Sequence, residues 1–71
     1  MSATDDKLVM QGIVEESIHG TFKVQCEHNH IALCTLSGKL RTNKIRVLVG
    51  DKVTIEMSVY DTSKGRIVFR H

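Results

Sequence analysis

Aromatic residues are scarce in this chain of 71, which has one Tyr, two Phe and no Trp. A surface that holds a loose single strand of nucleic acid by stacking needs several exposed rings. Phe22 and Phe69 fall on positions expected to face a core, so that mode of binding is not expected here. Only two cysteines are present, Cys26 and Cys34. Without a secretory leader they read as free thiols rather than a bridge. The first residues, "MSATDDKL", are acidic and polar, so no secretory signal is expected and the expected location is cytoplasmic. No apolar run approaches the roughly eighteen residues needed to cross a bilayer, and no membrane partner is expected.

Seventy-one residues suit one small domain, which buries only a modest fraction of its surface and needs a well-closed architecture. The 41% apolar content is enough for a core, and the 25% charged content is ordinary for a soluble domain. A net charge of +2 conceals an asymmetry. Residues 1–38 set Lys7 and Lys23 against Asp5, Asp6, Glu15, Glu16 and Glu27, a balance of −3. Residues 39–71 set eight bases against Asp51, Glu56 and Asp61, a balance of +5. Such a division suits a polyanionic partner, although a solvated face gives the same count.

Residues 1–7 lack apolar periodicity and are expected to form a flexible tail, with the domain spanning 8–71. From Leu8 the pattern has a period of two: Leu8, Met10, Gly12 and Val14 share one side, Val9, Gln11 and Ile13 the other. The second side is also fairly apolar, so cover on both faces is expected for part of this strand. Gly12 marks a bend or bulge of the kind a small barrel needs at its corners. "SIHGT" supplies a turn at Gly20. A second strand, "TFKVQC", directs Phe22, Val24 and Cys26 one way. "EHNH" then forms a tight connection with Asn29 left-handed. In the third strand, "HIALCTL", Ile31 and Leu33 compete with Ala32, Cys34 and Leu36 for the inside.

Ser37 is a helix cap, and "GKLRT" is long enough for one helical turn closing near Asn43, with Leu40 inward. Beyond it Ile45 and Val47 point in while Lys44 and Arg46 point out. Gly50 and Asp51 make a turn. "KVTIEM" places Val53, Ile55 and Met57 inside. "YDTSKG" is read as a turn, and "RIVFR" as a last strand with Ile67 and Phe69 in and Arg66 and Arg70 out. The expected fold is therefore all-β: a five-stranded OB-type barrel with a short helical turn between strands three and four. An SH3-like barrel is the main competitor, but it does not ask for a helix at that point.

Cys26, His28, His30 and Cys34 resemble a zinc set until the hairpin is built. A two-residue loop puts the two cysteines on opposite faces; a three-residue loop puts them on one face, about 13 Å apart along the ladder. Neither register permits a disulfide or a tetrahedral cage, so no metal is expected. Catalysis has little support. The neighbouring acids Glu15 and Glu16 point to opposite faces of a strand, and a Cys26–His30 pair lacks an orienting third group. A barrel this small is filled by its own side chains. No enzyme activity and no cofactor are expected.

The basic residues differ. Residues 37–53 hold five of the ten Lys and Arg residues. Lys39, Arg41, Lys44 and Arg46 ride between strands three and four, and Lys64, Arg66 and Arg70 lie on the last turn and strand. Barrel closure would make these segments neighbours, giving seven cations on one surface. Arginine forks bind phosphate bidentately and stack on bases. This is a nucleic-acid footprint for a structured RNA.

Four blocks in order, "MQG" at 10–12, "SGKLR" at 37–41, "NKIRVLVGDKV" at 43–53 and "YDTSKGRIVFR" at 60–70, resemble bacterial translation initiation factor one. The resemblance implies an S1-like OB barrel on the small (30S) ribosomal subunit at the decoding A site. There it would contact the 16S rRNA decoding helix and the 530 loop beside ribosomal protein S12. A monomer acting this way would block premature tRNA entry and support initiation factors two and three. The RNA-facing positions it implies are Ser37, Gly38, Lys39, Arg41, Asn43, Arg46, Lys64, Gly65, Arg66 and Arg70, with Lys44 added here. Arg41 and Arg46 are expected to matter most. A general S1-like or cold-shock-like RNA chaperone is the alternative. Thr35 stands where the family commonly has His, Lys44 where it has an aromatic, Thr42 where it has Lys, and Asn29 where it has Gly. Two base contacts are thereby lost, and Lys44 supplies a phosphate contact.

Overall fold

Alternation with a period of two governs the strands, and the computed structural model, which describes residues 7–71, shows what that alternation buries. The elements are β1 (Lys7–Ile18), β2 (Thr21–Cys26), β3 (Ile31–Leu36), α1 (Gly38–Thr42), β4 (Lys52–Ser58) and β5 (Asp61–Arg70). They close into a barrel in the order β1-β2-β3-β5-β4, with α1 between β3 and β4 in the chain. The expected tail falls on residues 1–6, outside the described residues, and on Lys7, which opens β1. Among the described residues no helix is long and apolar enough to cross a membrane.

β1 serves two neighbours. Lys7–Ile13 pairs with β4, and Gly12–Ile18 pairs with β2, so the strand changes partners at Gly12 and Ile13. Gly12 is an inward residue, and a Cβ there would lie 2.6 Å from the Gln25 carbonyl oxygen and 2.7 Å from a Val24 methyl. The corner closes because that side chain is missing. The opposite side of β1 is not covered as expected: Val9 and Ile13 are exposed.

The core follows the inward rows. Val14, Val24, Ala32, Cys34, Val53, Ile55 and Ile67 are essentially inaccessible. Burial of each large aliphatic among them stabilises the barrel by about 1.5–3 kcal/mol. In β3 the inside goes to Ala32 and Cys34, leaving Ile31 and Leu33 exposed. The β2–β3 connection is a three-residue 3-10 turn, Glu27–Asn29, closed by the Cys26 amide donating to the His30 carbonyl at 2.7 Å. His28 and Asn29 are both left-handed, with φ of 60° and 59°. The second of the two registers considered is thus the one formed, and Cys26 and Cys34 are free, buried thiols on one face.

β5 departs from expectation twice. The turn after β4 is only Val59–Tyr60, and the strand starts at Asp61, so much of "YDTSKG" is strand. The extra residues opposite Met57 and Ser58 are taken up by a register shift. A second shift sets Thr54 against Phe69 and Ile55 against Ile67, leaving Val68 without an opposite residue. That bulge reverses the facing, as one inserted residue must. Phe69 therefore points outward, contrary to the inward expectation, and its ring meets His71 edge-on at 4.8 Å.

Two outcomes follow. Gly12→Ala lowers unfolding stability by about 1–3 kcal/mol, because the new methyl meets backbone that cannot move without opening the corner. An unchanged urea midpoint would contradict this packing. Burial pushes the Cys34 thiol from 9.0 up to about 12, with Cys26 adding to the shift; Cys26 is itself raised by burial and then by Glu27. A raised folded-state pKa stabilises below the unfolded value and is lost as pH climbs toward the folded one. Urea midpoints should therefore fall as pH rises from 9.0 towards 12, and less steeply in Cys34→Ala. Equal slopes in the two proteins would exclude Cys34 as the cause.

Candidate nucleic-acid interface

The cationic segment is built as a capped turn followed by an anchored loop. Ser37, buried at the N-cap of α1, accepts from the Leu40 amide at 3.3 Å. Its own amide donates to the Ile67 carbonyl at 2.9 Å, which fixes the start of α1 to β5. Leu40 is the buried residue of the turn. At the other end Asn43 is the C-cap and Lys44 is left-handed, with φ of 55°. The Ile45 amide returns to the Leu40 carbonyl at 3.0 Å, and the Lys44 amide to the Arg41 carbonyl at 3.2 Å. These bonds form a Schellman closure, a position where Gly is usual. Leu40 and Ile45, the two residues such a closure brings into apolar contact, both pack on the core. Lys44 thus holds the left-handed position itself and stays exposed.

Residues 45–48 are irregular rather than a strand, yet the expected facing survives: Val47 is buried, Ile45 half-buried, and Arg46 exposed. Arg70 holds this loop. Its Nη1 donates to the Arg46 carbonyl at 3.1 Å and lies 3.7 Å from Asp51 Oδ2. Asp51 in turn accepts from the Leu48 amide at 2.8 Å. Gly50, with φ of 96°, donates to the Val14 carbonyl at 2.8 Å, and the Asp51 carbonyl accepts from the Val14 amide at 3.0 Å. The loop is therefore tied to both β1 and β5.

The two basic segments expected to be neighbours are brought together. β3 pairs in parallel with β5, setting Thr35 beside Arg66 and Leu36 beside Ile67, and α1 rests against β5. Lys39 and Arg41 are exposed on α1, with Arg41 Nη2 donating to the Leu36 carbonyl at 3.5 Å. Gly38 opens α1 with open space beside it. Lys64 lies farther along β5, beside Leu33, about 20 Å from Arg70 for an extended strand. Gly65 is on an inward row, where an added Cβ would lie 3.0 Å from the Glu56 carbonyl and 3.3 Å from Cys34 Sγ. It thus serves strand packing and offers only backbone outward. Arg66 Nη2 is 3.5 Å from Glu56 Oε1, a carboxylate that Lys7 Nζ also approaches at 3.2 Å.

Sequence reasoning missed the Arg70–Asp51 tie, the Lys7–Glu56–Arg66 group and the exposure of Tyr60 and Phe69. The alternation of β4 carries the outward signal for Glu56. Nothing in the sequence marks the bulge that turns Phe69 out. Among the described residues no group of three His, Cys, Asp or Glu side chains comes together to hold a metal.

Known proteins share this construction. The sequence pattern of the family described as translation initiation factor 1A / IF-1 matches residues 2–71. The translation initiation factor IF-1 of Solibacter usitatus (strain Ellin6076) is 52% identical over 71 residues, covering 100% of this chain and 99% of that protein. The solution structure of translation initiation factor IF-1 from the Wolbachia endosymbiont of Brugia malayi superposes with a TM-score of 0.80 at 36% identity, over 99% of this chain and 84% of that one. YjeQ from Thermotoga maritima contains the same barrel, with a TM-score of 0.73 and 29% identity over 90% of this chain but 23% of its own. The five-stranded barrel with its inserted turn is thus an OB-fold, and the chain belongs to the translation initiation factor 1A / IF-1 family.

Proposed function

We propose that this protein acts in translation initiation as a non-catalytic monomer in the cytoplasm, binding the small ribosomal subunit at the decoding A site. The names of its relatives support the process. The observation that carries the mode of binding is the anchoring of the cationic loop. Ser37, Leu40, Ile45, Val47 and Arg70 hold residues 37–51 against the barrel, while Lys39, Arg41, Lys44 and Arg46 are exposed. A positive surface that is already fixed binds phosphate with little loss of loop entropy.

In this reading Lys39, Arg41, Lys44 and Arg46, with Arg66 and Lys64 along β5, contact 16S rRNA of the decoding helix and the 530 loop beside protein S12. Ser37, Gly38, Asn43 and Gly65 shape the backbone that presents them. Occupancy blocks premature tRNA entry and supports initiation factors two and three. No cofactor is required. The exposed rings of Tyr60 and Phe69 give the alternative, a general S1-like RNA chaperone, its one supporting observation. Affinity for an unstructured single strand equal to that for the small subunit would favour that alternative.

Arg41→Ala combined with Arg46→Ala weakens small-subunit binding and lowers the log–log salt slope by roughly 0.7–0.9 per lost phosphate contact. The thermal midpoint moves by no more than a few degrees, since surface changes of this kind stay within about 0.5 kcal/mol each. Arg70→Ala lowers both affinity and midpoint, because it also releases the Arg46 carbonyl and Asp51. Wild-type affinity in the double variant would overturn the assignment of this surface.

A further inference from the structure

The first half of β1 has a neighbour on one side only. β2 follows β1 from Ile18 as far as Gly12, then leaves it after Cys26 for the Glu27–Asn29 turn. Lys7–Gln11 pair with β4, and among the described residues no strand pairs with them on the other side. The departure of β2 leaves a lane there. It is an open cavity of about 420 Å³ between Leu8–Gln11 and the turn residues Glu27 and His28.

The bonds around the lane set the direction of its backbone groups. Val14 donates to the Asp51 carbonyl and accepts from the Gly50 amide, both on the β4 side. Alternation along an antiparallel strand then turns Gly12, Met10 and Leu8 toward β4, and Gln11 and Val9 toward the lane. The flanking strands keep the same phase. Cys26, opposite Gly12, gives its amide to His30, and Lys52, opposite Ile13, accepts from His71. The amides and carbonyls of Val9 and Gln11 are thus aimed into the lane. The exposed Val9 side chain stands on one face of it, with Leu8 and the half-buried Met10 on the other.

Strand edges are normally blunted by a charge, a proline or short length. This chain has no proline, and Leu8, Val9, Met10 and Gln11 carry no charge. Lys7, at the entrance, is held by Glu56 at 3.2 Å. Main-chain groups flanked by aliphatic side chains fit an extended peptide, which adds to a sheet edge as a further strand. No Lys or Arg lines the cavity, so an RNA strand has no phosphate partner in it. The exposed carboxylate at the end where β2 departs is Glu27, which has no ion pair among the described residues.

We propose that this lane takes an extended, aliphatic segment of a partner protein as an added strand antiparallel to β1, with a Lys or Arg at its N-terminal end beside Glu27. The segment continues the line of β2 past Cys26, and about five residues, roughly 17 Å, fill it. The proposal goes beyond the RNA-binding reading and does not depend on it, because the α1 loop contributes nothing to the lane.

The test uses the full chain and a fluorescent peptide, Lys-Val-Val-Ile-Thr with blocked ends, read by anisotropy and by amide hydrogen exchange. In the free protein the Val9 and Gln11 amides exchange fast and those of Met10 and Gly12 slowly. Saturating peptide slows Val9 and Gln11 by about tenfold or more. Methylating the amide of the peptide's third residue, which faces Val9, weakens binding about tenfold; methylating the fourth, which points away, changes it less than about twofold. Glu27→Lys, at an exposed turn, keeps the thermal midpoint and weakens binding about 2- to 10-fold, and a peptide with Glu in place of Lys binds this variant better than wild type. Binding indifferent to the position of the methyl group, or absent at millimolar peptide, would overturn the added strand. Protection of Val9 and Gln11 that grows with protein concentration alone would assign the lane to a second copy of the chain. Displacement of the peptide by an RNA homopolymer would assign it to nucleic acid, and either result overturns the proposal. None of these outcomes bears on the α1 surface, which stands or falls with the Arg41 and Arg46 variants.

Discussion

Everything at the basic surface depends on the parallel pairing of β3 with β5. It is the one parallel ladder among otherwise antiparallel pairings of the described residues, and it closes the barrel. A parallel connection cannot be a tight hairpin, so the chain must cross over between these two strands. α1, the 43–51 loop and β4 make up that crossover. The cationic segment is therefore held at both ends by the closure of the sheet. Ser37 bonds to Ile67 at its start and Arg70 to Arg46 near its middle, both on β5.

Solvent-exposed ion pairs contribute little to folding by themselves. Apolar anchors carry the loop instead: Leu40 and Val47 are buried and Ile45 is half-buried, while the neighbouring cations stay outside. This separation makes the surface a positioned one. Charges on a floating loop would lose conformational entropy on binding. Here the α1 turn, its Schellman closure and the Arg70 contact have already fixed the backbone. Arg70 illustrates the division best. Its guanidinium contacts a carbonyl and Asp51, so much of its binding capacity is spent inside the protein. Arg41 is less committed, with a 3.5 Å contact to Leu36.

Much of this architecture was legible in the sequence because its signals were local. Val53, Ile55 and Met57 alternate without interruption, and Ser37, Leu40 and Asn43 mark a single helical turn. The two possible placements of the thiols followed from loop length alone, and the three-residue turn selects the one with both inside, about 13 Å apart on the ladder. What failed were features decided by pairing between distant strands. Nothing near Phe69 announces that Val68 is extra relative to β4, yet that one residue turns the ring outward. The left-handed Lys44 was invisible for the opposite reason, because no glycine stands where the backbone needs one. Of the site, the basic residues and their neighbourhood could be read, but not their tasks. Gly65 proves to be needed for packing beside Cys34, and Tyr60, unremarked in the sequence, is the most exposed ring.

Whether the anchored basic surface sits at the decoding site of the small subunit is the central question. Dimethyl sulfate probing of 16S rRNA in small subunits saturated with this protein addresses it most directly. The expected result is altered reactivity of the decoding-site adenines with wild type, and reactivity like that of free subunits with the Arg41→Ala, Arg46→Ala double variant at equal concentration. Saturating binding of the wild type that leaves those adenines as reactive as in the free subunit would contradict the account.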